Sequence, residues 1–382
     1  NDTLDITINN TTTASVTGAL SIAGGMSGVG GVIKDGAGRV SFATTPKTYT
    51  GSTVINAGIL RMSVAGEANA TSSLTVNSGG QLLLGTTANG AFQIGSSAAT
   101  VVTLNGDGPT VGSGALVVNA SGTGTLSNAI TLASDSTIST TTALTTNGVI
   151  SGPGGLTKTG TSTLAVNNAN TYGGTTTISA GVLQLGAAGT TGSLSTSSAI
   201  VDNATFRINR TNAVVQGTDF NGAGITGTGS FSQAGAGSTT LNVANSYAGG
   251  TTVSVGSLIA AANGALGTGN VSLTASGVTL TLQGAFSDFI SDNATLTMVT
   301  GATAALNQTG GSDTISGLVL GGAVQSAPGT YGSTASGATF VFDSFFSGTG
   351  TLTLIPEPAT WAMTLMGAGL LLGLQRFRRK QN

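Results

Sequence analysis

The chain has 382 residues, of which only 6% are charged and 62 are glycine, with a formal net charge of −2. Typical soluble domains are about a quarter charged, so this is not the composition of an ordinary soluble enzyme, while apolar residues recur too evenly for a disordered chain. It holds no cysteine and no histidine, which excludes disulfides, zinc sites and every mechanism built on Cys-His or Ser-His-Asp.

Gly, Ser, Thr and Asn fill most of the remainder and suit short strands joined by tight turns better than helices. The sequence opens at Asn1 without a Met or a charged-then-apolar leader, so the expectation is a signal peptide that was removed or lies outside this sequence. Along the chain, Lys34-Asp35-Gly36 is followed by Tyr49, Gly51, Thr53, Ile55, Gly58 and Leu60. The same order returns as Lys158-Thr159-Gly160 with Tyr172, Gly174, Thr176, Ile178, Gly181 and Leu183. It returns again with Gln233 in place of Lys, then Tyr247, Gly249, Thr251, Val253, Gly256 and Leu258. Counted from the tyrosine, five positions coincide three times, which marks an internal repeat.

Each unit reads as strand, turn, strand. Thr at +4 and Ile or Val at +6 share one side of a strand by the two-residue period, and Gly at +9 supplies a positive φ or a close backbone approach. Beyond it, Leu60 and Met62, Leu183 and Leu185, or Leu258 and Ala260 share an apolar face, alternating with Arg61, Gln184 and Ile259. One such unit cannot bury its apolar face alone, so successive units are expected to stack. The expected fold is all-β, a parallel β-helix or β-solenoid over residues 1–354, with Leu60, Leu183 and Leu258 inside. At roughly 20–25 residues per turn it would form about fifteen turns and a rod about 70 Å long. Tyr49, Tyr172 and Tyr247 recur with the core pattern, so they are read as caps on the apolar column and not as sugar-stacking platforms.

These units, near residues 31–62, 155–185 and 229–260, resemble the autotransporter-associated β-strand repeat, also called the passenger-associated transport repeat. No run of alternating amphipathic strands follows as a translocator barrel, so self-transport is not expected. Residues 329–332 and 345–352 read as a last, degenerate turn that closes the solenoid.

Ile355-Pro356-Glu357-Pro358-Ala359-Thr360-Trp361 then leads into an uncharged run to Leu374 and a basic cluster, Arg376, Arg378, Arg379 and Lys380. The prolines stop the preceding strand and leave an accessible extended segment. The run is read as one C-terminal hydrophobic helix of about 24 Å, with Trp361 at one interface and Arg376 snorkelling to the other. By the positive-inside rule the cluster stays cytoplasmic and the body lies across the inner membrane. Residues 355–382 resemble the PEP-CTERM sorting signal, carried here by Pro356, Glu357, Pro358, Trp361, Arg376, Arg378, Arg379 and Lys380. The resemblance implies an exosortase-type membrane protease as partner, removal of the tail, transient inner-membrane anchoring, and delivery to the surface or extracellular matrix of a Gram-negative bacterium. It also implies association with exopolysaccharide.

Over residues 1–375 the chain holds seven basic against thirteen acidic residues, so it has no electrostatic footprint for nucleic acid. A polysaccharide-acting β-helix lyase or hydrolase is the competing reading, and it needs convergent carboxylates. The acids are scattered. Only Asp288 with Asp292, Asp2 with Asp5, and Asp202 near Arg207 and Arg210 approach a cluster in sequence. Gly310-Gly311-Ser312-Asp313 is read as a turn because the calcium-binding pattern it faintly matches does not repeat. No catalytic residue, metal or cofactor is therefore expected, and the leading reading is a non-enzymatic scaffold or adhesin.

Overall fold

In a computed structural model the structure describes residues 4–7, 20–43, 45–62, 71–85, 90–92, 94, 100–119 and 122–355. The described body is all-β, a parallel solenoid of about 13 turns whose only helical element is the single 3-10 turn Thr334–Ser336. At a strand spacing near 4.8 Å, 13 turns give a rod about 60 Å long.

Strands stack in columns in which each residue lies above its counterpart one turn earlier. The first column runs from Leu4–Thr7 through Val32–Asp35, Thr53–Ile55, Leu74–Val76 and Val102–Gly106 to Ile130–Thr140. The second runs from Leu20–Ile22 through Arg39–Phe42, Gly58–Met62, Gly80–Leu84 and Leu116–Val118 to the far half of that same Ile130–Thr140. This eleven-residue strand turns a corner and joins the two columns. The second column then continues through Leu156–Thr159, Thr176–Ile178 and Ile200–Asp202. A third column of twelve strands starts at Gly90–Phe92, and a fourth starts at Val214–Val215. Nearly every pairing is parallel; the exceptions are at the C-terminal end.

The expected count of fifteen turns is too high because several turns carry insertions. Leu144 stacks on Leu164 after 20 residues, but Leu82 stacks on Leu116 only after 34, with the turn around residues 106–115 looping out between them. The hydrophobic core is one continuous column from Val32 to Leu354, with Leu60, Leu183 and Leu258 fully buried. Strand after strand shows the alternation of buried and half-buried residues that the two-residue period demands.

The sequence units also differ in phase. The Lys34 strand lies in the first column and its partner Leu60 strand in the second. The Lys158 and Leu183 strands lie in the second and third, and the Gln233 and Leu258 strands in the third and fourth. Each recognisable copy thus begins one column further round the rod, because the residues separating the copies do not make a whole number of turns.

The C-terminal end is less regular than a single closing turn. Leu352–Leu354 stacks on Asp313–Ile315, but Gly329–Gly332 then runs antiparallel beside it and carries Phe340–Val341 as a last strand. The expected hydrophobic helix lies outside the described residues, and among those described no helix is long and apolar enough to cross a membrane.

Candidate functional site

The residues of the C-terminal signal, Pro356, Glu357, Pro358, Trp361, Arg376, Arg378, Arg379 and Lys380, all lie outside the described residues. The structure delivers the chain to their threshold at Ile355, whose N–H donates to Ile315 O at 3.0 Å.

Inside the rod, the three repeats build the same small polar device. Lys34 is fully buried, and its Nζ donates to the carbonyls of Asp35, Gly36 and Ala57 at 2.7, 2.6 and 2.9 Å. Lys158 repeats this with Thr159, Gly160 and Ala180 at 2.6, 3.0 and 3.1 Å. In the third copy Gln233 Nε2 donates to Gly235 O at 2.7 Å and Gly237 O at 3.3 Å, while its Oε1 accepts from Thr239 Oγ1 at 2.6 Å. Each side chain fills the corner where the chain turns from one column to the next and satisfies carbonyls that the ladders leave free. The recurrent Lys-x-Gly was visible in the sequence, but an inward-facing lysine is legible only once its strand's alternation is tied to the apolar side.

The other conserved-in-register positions complete the corner. Tyr49, Tyr172 and Tyr247 are buried, and each hydroxyl shares a hydrogen bond with the threonine four residues on, at 2.5, 2.6 and 2.6 Å. That bond explains Thr at +4, and burial pushes the Tyr49 and Tyr172 phenols up to about 12. Gly58, Gly181 and Gly256 have φ of 68°, 69° and 70°. A Cβ at Gly181 would meet the carbonyl oxygens of Gly160 and Ser162 at 2.5 Å, so both reasons for glycine apply together.

Lys158→Met leaves three carbonyls inside the rod without their donor and is expected to cost about 2–3 kcal/mol, whereas Lys158→Gln keeps a donor but turns its Oε1 toward Leu164, where the third repeat has Thr239, and should cost about half as much. Urea unfolding checks this; a methionine variant as stable as the parent would contradict it.

The scattered acids and bases do not converge. Asp202 points into the core, with Oδ1 accepting from Ala204 N–H at 3.0 Å. Arg207 is half-buried on the outer side of Thr205–Arg210. Arg210 binds Asp219 at 2.6 Å, Gly192 O at 3.0 Å and Asn212 Oδ1 at 3.0 Å, which makes it a brace between loops. Asp288 and Asp292 are exposed near the buried Asp313, whose Oδ2 accepts from the N–H groups of Phe289 and Ile290 at 3.3 and 3.1 Å. Thr309 and Gly310 form a bend, and Gly311, with φ of 133°, leads from it toward Asp313–Ile315. Among the described residues no group of three or more acids could hold a metal ion.

Burial raises Asp202 to about 6 and Asp313 to about 7, the latter helped by Asp288 and Asp292, while burial lowers Lys34 and Lys158 to about 8. Between the ordinary carboxylate value and pH 7 the folded chain holds protons that the unfolded chain has released, so stability falls as pH rises through that window. Above pH 8 the folded lysines lose protons that the unfolded chain keeps up to about 10.5, so stability rises again. Thermal unfolding across pH should therefore show a minimum near pH 7–8. Asp313→Asn should flatten the acidic arm and Lys158→Gln the alkaline arm; a maximum at neutral pH would contradict both.

The family model of the Passenger-associated-transport-repeat matches residues 32–62, 156–185 and 231–260. The PEP-CTERM protein-sorting motif matches residues 354–380. No curated protein and no solved structure matches the chain. Both resemblances read from the sequence are thereby shown, with boundaries that shift by one or two residues. The sorting motif implies export, recognition by an exosortase membrane protease, transient membrane anchoring and then surface localisation.

Proposed function

We propose that this chain is a non-enzymatic surface or extracellular-matrix protein of a Gram-negative bacterium, a rigid rod that an exosortase-type protease releases from its membrane tail and that serves as a scaffold or adhesin among exopolysaccharide. The observation that carries this reading is the order of parts: a continuous β core that ends at Leu354, followed at once by the sorting motif over residues 354–380. A rod with one apolar column and half-buried Ser and Thr rows on its outside suits spacing and lateral contact. The chemically capable side chains Asp202, Arg207, Arg210, Asp288, Asp292 and Asp313 are spread among core, outer face, brace and end loop, an arrangement that supports a structural role.

Incubating the purified protein with a panel of acidic and neutral polysaccharides, while following retention and product release together, tests the proposal. Retention of a glycan without shortening is the expected result. Depolymerisation that is lost in Asp202→Asn or Arg207→Gln would replace it with the lyase or hydrolase reading.

A further inference from the structure

At the C-terminal end of the rod three stacks finish on short strands. Ala323–Gln325 lies beyond Gly317–Leu320, Phe340–Val341 beyond Gly329–Gly332, and Phe346–Ser347 beyond Thr303–Gln308. Two of these last strands present apolar side chains to solvent: Val324 is 74% exposed and Val341 48%. Ile355, where the described chain ends, is 57% exposed. Beneath them Phe340, Phe342 and Phe345 are only partly buried against the core, and Tyr331 stacks on Phe340 and Phe342 at 4.8 and 6.0 Å. The end of the rod is thus an apolar lid with exposed valines.

Where the tail departs limits what can face this lid. Leu352–Leu354 lies two strands short of the outermost strand Phe340–Val341, with Gly329–Gly332 between, which places the exit about 10 Å from the end of the rod. Only Pro356, Glu357 and Pro358 separate Ile355 from the uncharged run 359–374, and three extended residues reach about 10 Å. With that run in a bilayer, the end of the rod has no slack to stand away from the lipid surface.

We propose that, before cleavage, the C-terminal end of the rod rests on the outer surface of the inner membrane, with Val324, Val341 and Ile355 in the lipid interface. This rests on the anchoring reading above and goes beyond it by naming the surface that touches lipid. The contact is apolar and not electrostatic, because no Lys or Arg lies between Arg210 and Arg376 in the sequence, while Asp343 follows two residues after Val341. Docking holds the Pro356-Glu357-Pro358 segment at membrane level, where a membrane-embedded protease can reach it, and it limits the angles at which the rod stands.

The chain has no cysteine and one tryptophan, so both halves of the proposal can be read in one preparation. Full-length Val341→Cys, Val324→Cys and Val111→Cys variants, each carrying a single fluorophore, are reconstituted in phosphatidylcholine vesicles containing a headgroup-level quencher. Val111 is the control, 94% exposed on a turn inserted in the N-terminal half of the rod. Trp361 quenching by brominated lipid reports whether the tail is inserted. The expected result is Trp361 quenching together with several-fold stronger headgroup quenching at positions 341 and 324 than at 111, unchanged by high salt. Equal quenching at 341 and 111 with Trp361 still quenched would overturn the docking and leave the anchor standing. An unquenched Trp361 would overturn the anchoring reading, and the docked end with it.

Discussion

Leu183→Asp is expected to destabilise the rod by about 4 kcal/mol or more, and to unfold several turns together. Leu183 is fully buried and stands in register between Leu164 on one side and Phe206 on the other. A carboxylate there would meet apolar side chains above and below, while the nearby backbone donors are already engaged in the ladders. The native buried acids show what such a group requires: Asp202 lies at a strand end where Ala204 N–H reaches it, and Asp313 takes two N–H groups from the loop at Phe289 and Ile290. Leu183 has no such loop. Thr177→Asp, on the half-buried outer side of Thr176–Ile178, should by contrast stay within about 0.5 kcal/mol. Urea unfolding followed by circular dichroism compares the two; equal midpoints would remove the basis for a single apolar column.

Neutralising Arg376, Arg378, Arg379 and Lys380 together is expected to have the largest effect on processing. Each of these charges resists passage through the hydrocarbon core by about 2.5–3.5 kcal/mol on insertion scales, and in the proposed orientation together they hold the tail's end in the cytoplasm. Without them the uncharged run has nothing to stop it, and the Pro356-Glu357-Pro358 segment is no longer held where the protease works. The neutral variant should therefore accumulate with its tail attached, followed by the ratio of full-length to shortened chain in exported material. Shortening at the parent rate would refute the orienting role of the cluster.

Much of the fold was legible because the solenoid repeats its own chemistry. The spacing from Tyr to Leu placed Leu60, Leu183 and Leu258 inside, and Gly at +9 carried both a positive φ and a close approach. What escaped the sequence depends on how successive turns meet. The number of turns was overestimated because an insertion such as that near residues 106–115 adds length without adding a turn. The one-column shift between copies is a property of the chain lying between them, and that chain has diverged. Lys34 and Lys158 carry a charge that normally marks a surface, and only the ring of turn carbonyls around each explains their burial. For the candidate site the balance reverses. The sorting motif is a linear signal, read in the unfolded alphabet of prolines, an apolar run and a basic cluster, so it was legible at once. The placement of Asp202, Arg207 and Arg210 on different surfaces was not legible, because these three residues, close in sequence, lie on two successive strands, Ile200–Asp202 and Thr205–Arg210, whose side chains alternate between core and exterior.

On the proposed function, the β rod is exported, held by its tail and then cut free beyond Leu354. Intact-mass measurement of the protein recovered from the cell surface tests it most directly. The expected mass is that of a chain that ends at or near Pro356-Glu357-Pro358; surface protein that still ends at Asn382 would contradict the release.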